Sequence, residues 1–346
     1  MKPTAAFLFQ LSLAGCSYLD NDLLDKDLQD FSSSVTTLTA VIEKDFALTE
    51  EVNTIAFTDN LEFQFETGAN PPTTVKPLFS GKAIAARQSV LAAMTGYVGT
   101  LNTIASGQSI QTSLPKLKKI ANDLTFLDPA VFEITHSLSA VESTNLVQGM
   151  TFFQEFFILP ARDRRLVPIM KKGEATLKKA ATLLYLDIGT IQDQSGKCSY
   201  TVPDNNTDAP LSSLRMCRGG LRLYSRSAIN SDIATWKGWL AYERRHGQKS
   251  LAARTDMVRN LVNSQRMGEK LDQLFSNTQA ALVAMMAAHE EIMATLDATV
   301  HAKKPSSLFQ SKNTLFLQQV KALSIMSASV EAAVKSMPPG IVSSKN

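Results

Sequence analysis

Residues 250–302, SLAARTDMVRNLVNSQRMGEKLDQLFSNTQAALVAMMAAHEEIMATLDATVHA, decide the fold. Met257, Leu261, Leu271, Phe275, Leu282, Met285, Ile292 and Leu296 recur in steps built from threes and fours. That spacing lines one face of an α-helix. A helix over this stretch is roughly 80 Å long. Intrinsic propensity does not hold such a segment in water, so its stripe must be covered by other helices. The spacing therefore predicts an all-α protein, an elongated antiparallel bundle with coiled-coil-like long helices.

The flanking sequence repeats the pattern. Lys303-Lys304-Pro305-Ser306 reads as a turn. Phe316, Val320, Leu323, Val330, Val334 and Met337 then mark a last helix, giving a long helical hairpin over 250–338. Upstream, a helix from about residue 226 carries Trp236, Trp239 and Leu240 and ends at Arg245-His246-Gly247. This tryptophan pair is expected in the core rather than as a sugar platform. Another helix is expected over about 168–193, with Pro168 in its first turn, where the missing N–H costs nothing. Further helices are expected at about 129–158, 113–127 and 82–106. The first, within 17–66, has the stripe Leu24, Leu28, Phe31, Val35, Leu38, Ile42 and Phe46. Asp20, Asp22 and Asp25 are expected in its first turns, where the helix dipole favours negative charge. Thr67 to Pro77 is too rich in proline and glycine to continue it. Residues 16–346 are expected to form one helical-bundle domain. The irregular stretch 195–220 contains Pro203-Asp204-Asn205-Asn206. It is expected to form a loop or a short hairpin, with Tyr200 and Val202 pairing with Leu221 and Leu223.

Charge is nearly balanced, with 35 basic side chains, Lys2 included, against 32 acidic ones. This gives no broad attraction to nucleic acid, and no nucleic-acid partner is expected. Sparse glycine and aromatics, with plentiful Ala, Leu, Ser, Lys and Gln, favour helix.

The N-terminus speaks of location. Lys2 is followed by an apolar stretch over residues 5–13 and then by Leu13-Ala14-Gly15-Cys16. The stretch is too short to span a bilayer, which takes about 20 residues. It has the build of a secretory signal over 1–15. Together these residues resemble a bacterial lipoprotein signal with its lipobox. The resemblance implies cleavage before Cys16, palmitate-type acylation of Cys16 and a membrane tether. With Ser17 following the cysteine, it also implies the periplasmic face of the outer membrane. Several acyl chains make such an anchor effectively permanent, since each buried methylene contributes about 0.8 kcal/mol. In that oxidising compartment Cys198 and Cys217 are expected to pair. The disulfide would close a loop of about 20 residues and stabilise the fold by about 3 kcal/mol in the chain-entropy description.

Signatures of chemistry are few. Nucleotide-binding glycine loops, Gly-x-Ser-x-Gly and His-Glu-x-x-His are all absent. His289-Glu290-Glu291 begins like a zinc site, but Met293 stands where the second histidine belongs, so His289 is expected to pack on the helix stripe. Glu133-Ile134-Thr135-His136 and Glu243-Arg244-Arg245-His246 put carboxylate and imidazole on one helix face, as di-iron bundles do. Glu43 and Glu174 are the lone glutamates in suitable order. Against a metal site, Glu243 and His246 flank two arginines at a helix end, and Glu174 follows Lys171-Lys172-Gly173. Surface salt bridges or caps are the preferred reading, and no cofactor is expected. Arg162, Arg164, Arg165, Lys171, Lys172, Lys178 and Lys179 form the clearest basic patch. It is read as a solvated face, or as a contact for anionic lipid or an acidic cell-wall polymer. Phe152 to Leu159 is expected in the core. These features point to a non-enzymatic, lipid-anchored structural, adaptor or accessory component of the cell envelope, with an envelope protein or the cell wall as partner. A ligand- or metal-binding lipoprotein is the alternative.

Overall fold

The computed structural model describes residues 15–70, 74–106, 166–189, 220–247, 249–300 and 310–337. Among these residues there are six helices and no strand: α1 (Gly15–Glu66), α2 (Gly81–Ala105), α3 (Leu166–Ile188), α4 (Leu221–His246), α5 (Leu251–Val300) and α6 (Gln310–Lys335). The described residues form an all-helical bundle.

The stripes read from the sequence form its core. Leu28, Phe31, Val35, Leu38, Ile42 and Phe46 of α1 are buried with Leu271, Phe275, Leu282, Met285, Ile292 and Leu296 of α5. Phe316, Val320, Leu323, Val330 and Val334 of α6 join the same cluster, as do Met94, Tyr97 and Val98 of α2. Trp236 and Trp239 are buried too, in a smaller separate cluster with Met257, flanked by Phe63, Leu240 and Leu261.

Side-chain pairs give the helix directions. Phe31 lies 6.1 Å from the His289 ring, and Asp45 is bonded to Thr278 at 2.9 Å, so α1 and α5 run antiparallel. Asn277 Nδ2 lies 3.2 Å from Met326 Sδ, and Glu291 Oε2 accepts from the Asn313 N–H at 2.9 Å, so α5 and α6 form an antiparallel hairpin. Thr39–Thr95 at 3.0 Å and Gln88–Glu43 at 2.9 Å make α2 antiparallel to α1. Three of the described helices run parallel to α1. These are α6, through Phe31–Phe316 and Lys44–Glu331, α4, through Asn60–Thr235 and Phe63–Trp239, and α3, which is antiparallel to α2 through Arg87–Asp187 and Tyr97–Gly173. At 52 and 50 residues, α1 and α5 are each about 75 Å long. Along one half they are covered by α2, α3 and α6, and along the other by α4.

Three boundaries differ from the sequence reading. Helix α3 stops at Ile188 rather than near 193, because Gly189 turns into the left-handed region at φ +86°. Helix α4 begins at Leu221, so Leu221 and Leu223 are helical and the expected hairpin does not form on that side. The cause is periodicity. Leu221, Ser225, Ala228, Ile229 and Asp232 make a continuous buried helical face. Helix α1 also begins earlier, at Gly15, which leaves Asp20, Asp22 and Asp25 beyond the first turn, where the dipole acts most strongly. Residues 1–14, the expected helices at 113–127 and 129–158, the Phe152–Leu159 cluster, Tyr200, Val202, Cys198 and Cys217 lie outside the described residues, as does the Cys16 side chain.

Helix starts are held by glutamates from neighbouring elements. Glu50 accepts from the backbone N–H groups of Leu78 and Phe79 just before α2. Glu243 accepts from Lys249 before α5 at 2.7 Å, and Glu291 accepts from Lys312 and Asn313 in α6. A carboxylate there satisfies orphan donors and complements the helix dipole. Helix α2 is clamped to α3 by a buried two-point ion pair between Arg87 and Asp187, with the guanidinium 5.1 Å from the Phe46 ring centre and 5.3 Å from that of Phe79.

Close approach of α3 to α2 depends on Gly173, where a Cβ would stand 2.7 Å from the Tyr97 ring. Tyr97 is pinned by its bond to His289 and cannot swing away. Gly173→Ala is therefore expected to destabilise the fold by about 1–3 kcal/mol. Gly99→Ala, in open space on α2, is expected to stabilise it by about 0.5–1 kcal/mol. Urea unfolding of both variants checks this; shifts of the same sign refute it.

Candidate functional site

Besides the Arg87–Asp187 pair, three buried levels among the described residues carry titratable groups that bridge α1 or α2 to another helix. At the first, Tyr97 Oη and His289 Nε2 are 2.9 Å apart and both residues are fully buried. Burial lowers the imidazole to about 4 and pushes the phenol upward, with the Glu174 carboxylate adding to the latter. Both are therefore neutral near pH 7. His289 Nδ1 meets no hydrogen-bond partner among the described residues. The pair fixes α2 against α5. Glu174 is half-buried beside it, its carboxyl raised first by burial and then by Glu290.

At the second level, Asp45 is completely buried and accepts from the Thr278 hydroxyl at 2.9 Å. Burial raises its carboxyl to about 8, against the lowering effects of Thr278 and Lys44. It is accordingly protonated at neutral pH. At the third level, Ser264 of α5 donates to Asp232 Oδ2 of α4 at 2.5 Å, Asp59 of α1 lies nearby, and Asp232 Oδ1 meets no hydrogen-bond partner among the described residues. All three residues are buried.

Among the described residues, Glu43, Glu174 and Glu243 are not brought together. Glu43 is bonded to Gln88. Asn60 and Phe63 stand level with Thr235 and Trp239, which puts Glu243 near the end of α1, roughly 35 Å along it from Glu43. Glu174 lies at the level of His289, roughly 15–20 Å from that of Glu43. Glu243 is buried rather than at the surface, because the chain folds back and Lys249 N–H donates to it, while His246 stacks on Tyr242 at 4.3 Å. Glu133 and His136 lie outside the described residues. Among the described residues no three His, Cys, Asp or Glu side chains gather as a metal would need. Of the basic patch, Lys171 and Lys172 are exposed on α3 and Lys178 and Lys179 are half-buried; Arg162, Arg164 and Arg165 lie outside the described residues.

The internal acids were legible in principle. Past Ile42 the stripe of α1 continues through Asp45, Thr49, Val52, Ala56, Asp59 and Phe63 in alternating threes and fours. Asp232 follows Ser225 and Ile229 in the same rhythm, and Ser264 follows Met257 and Asn260. A polar residue in a seam position is the signal.

No protein-family model, curated protein or solved structure matches the chain.

Asp45 makes stability depend on pH with a definite sign. Its folded value lies above the ordinary 3.8, so its contribution is full below that value and is lost as pH rises towards about 8. His289 acts in the opposite sense: its contribution is full above about 6.5 and is lost as pH falls towards about 4. Asp45→Asn is expected to gain on the parent between about pH 5 and pH 9 by at least about 1 kcal/mol, the worth of a one-unit shift. Urea denaturation across that range measures it; a difference that does not change with pH rules it out.

Proposed function

We propose that this chain is a lipid-anchored component of the bacterial envelope, whose helical body serves as a spacer, adaptor or accessory subunit without catalysis of its own. The observation that carries this reading is Leu13-Ala14-Gly15-Cys16 at the end of a short apolar run behind Lys2. The fold accommodates it. Helix α1 runs from Gly15 to Glu66, so an acyl group on Cys16 would join the longest of the described helices at its first turn. Among the described residues no helix is long and apolar enough to cross a membrane.

The buried groups support a structural role. A neutral phenol, a neutral imidazole and a protonated carboxyl, all closed to solvent, hold helices in register. The outer membrane's periplasmic face is the proposed location. An envelope protein or an acidic cell-wall polymer is the proposed partner, with Lys171 and Lys172 exposed on α3 as cationic contacts.

Cys16→Ser is expected to move the protein from the membrane to the soluble fraction and to abolish incorporation of labelled palmitate. Fractionation and labelling of both forms check this. A serine variant that stays on the membrane and takes up as much label as the parent sinks the proposal.

A further inference from the structure

Helix α6 carries two seams. The inner one runs from Asn313 through Phe316, Val320, Leu323 and Val330 to Val334, and it is buried. The outer one is Leu315, Gln318, Ala322, Ile325, Ser329 and Ala332, also in steps of three and four, and every residue of it is exposed. Leu315 is 50% exposed and Ile325 65%, so two large aliphatic side chains stand in water on one line. No charged residue occurs from Ala322 to Val330. The outward face of a bundle helix ordinarily carries charge, and an apolar stripe there marks a surface for association.

We propose that this outer seam pairs with the same seam of a second copy of the chain, antiparallel, about a two-fold axis. The seam is complementary to its own reverse. One register sets Leu315 against the partner's Ala332, Ile325 against the partner's Ala322, and Gln318 against the partner's Ser329. The two-fold repeats each pair from the other side. Every layer then joins a large side chain to a small one, which lets the two seams interdigitate. The flanking charges agree with this register. Lys312, Lys321 and Lys335 come level with the partner's Ala333, Ala328 and Thr314, so no cation faces a cation; Lys335 also keeps its bond to Glu331 at 2.7 Å. A parallel pairing sets each residue against its own copy, leucine on leucine and alanine on alanine. Such layers cannot share one helix spacing. The seam is about 30 Å long and about one helix diameter wide. That is the small end of specific interfaces, so the dimer is expected to form in the micromolar range. Neither Cys16 nor its acylation enters into this contact.

Sedimentation of the full chain in a mild detergent tests this, and a monomer–dimer equilibrium is expected. Ile325→Glu puts an unpaired charge into the seam and is expected to weaken dimerisation by about tenfold or more. Leu251→Glu replaces an aliphatic side chain that is 75% exposed at the start of α5, and it is expected to leave dimerisation unchanged. Both side chains lie outside the core, so the circular-dichroism spectrum of each variant is expected to match the parent. Photo-reactive benzoylphenylalanine in place of Leu315 reads the direction of pairing. Trypsin cuts after Lys312, Lys321 and Lys335, so the antiparallel register joins peptide 313–321 of one copy to peptide 322–335 of the other. A covalent dimer joining two 313–321 peptides overturns the proposal. So does a crosslink confined to one chain, which would make another segment of the same chain the occupant. A chain that stays monomeric at about a hundred times the micromolar range overturns it too, as does a dimer that Ile325→Glu leaves intact.

Discussion

Antiparallel contact between α1 and α5 is the constraint on which the rest depends. Neither helix, at about 75 Å, is stable by propensity in water. Each is held because the other covers its stripe, and the covering works only in one register. Phe31 against His289 and Asp45 against Thr278 set that register at two levels. Burying polar groups there costs free energy unless each finds its partner. A slip of one turn would strand Asp45 and His289 among aliphatic side chains. The polar seam therefore excludes misaligned pairings that an all-leucine seam would tolerate.

The remaining helices are keyed to that pair by contacts that bridge long stretches of chain. Helix α2 needs Arg87 to find Asp187, 100 residues on. The starts of α5 and α6 rest on Glu243 and Glu291, each supplied by the preceding helix. Arg222 ties α4 back to α3 and α5 through Gly189 carbonyl, Asp272 and Gln279. Helix ends are thus conditional on assembly: their caps exist only when the neighbours are in place. A bundle so arranged gains cooperativity, since disturbing one helix exposes the terminus of another.

Much of the fold could be read from apolar spacing. The stripes of α1, α2, α5 and α6, the packed nature of His289 and the burial of Trp236 and Trp239 all follow from period and side-chain type. What could not be read was partnership. Tyr97 and His289 are 192 residues apart, and nothing local in either segment announces the other. Asp59 and Asp232 look like ordinary helix-surface acids until their seam positions are counted. Glu243 resembles an exposed terminus because Arg244, Arg245 and His246 follow it, yet the return of the chain through Lys249 encloses it. Leu221 and Leu223 suit a strand as well as a helix over so short a window, and the longer periodicity through Asp232 decides between them.

The junction of α3 and α4 has one more consequence. Helix α3 ends where α4 begins: a Cβ on Gly220 would stand 2.8 Å from the Asp187 carbonyl and 3.1 Å from the Gly189 nitrogen. Gly189 carbonyl is gripped there by Arg222 and Gln279 whatever lies between. The end of α3 and the start of α4 are thus clasped together by side chains of α4 and α5, so that neither end can shift without loosening the other. Two helices far apart in the sequence behave there as one strut braced against α5.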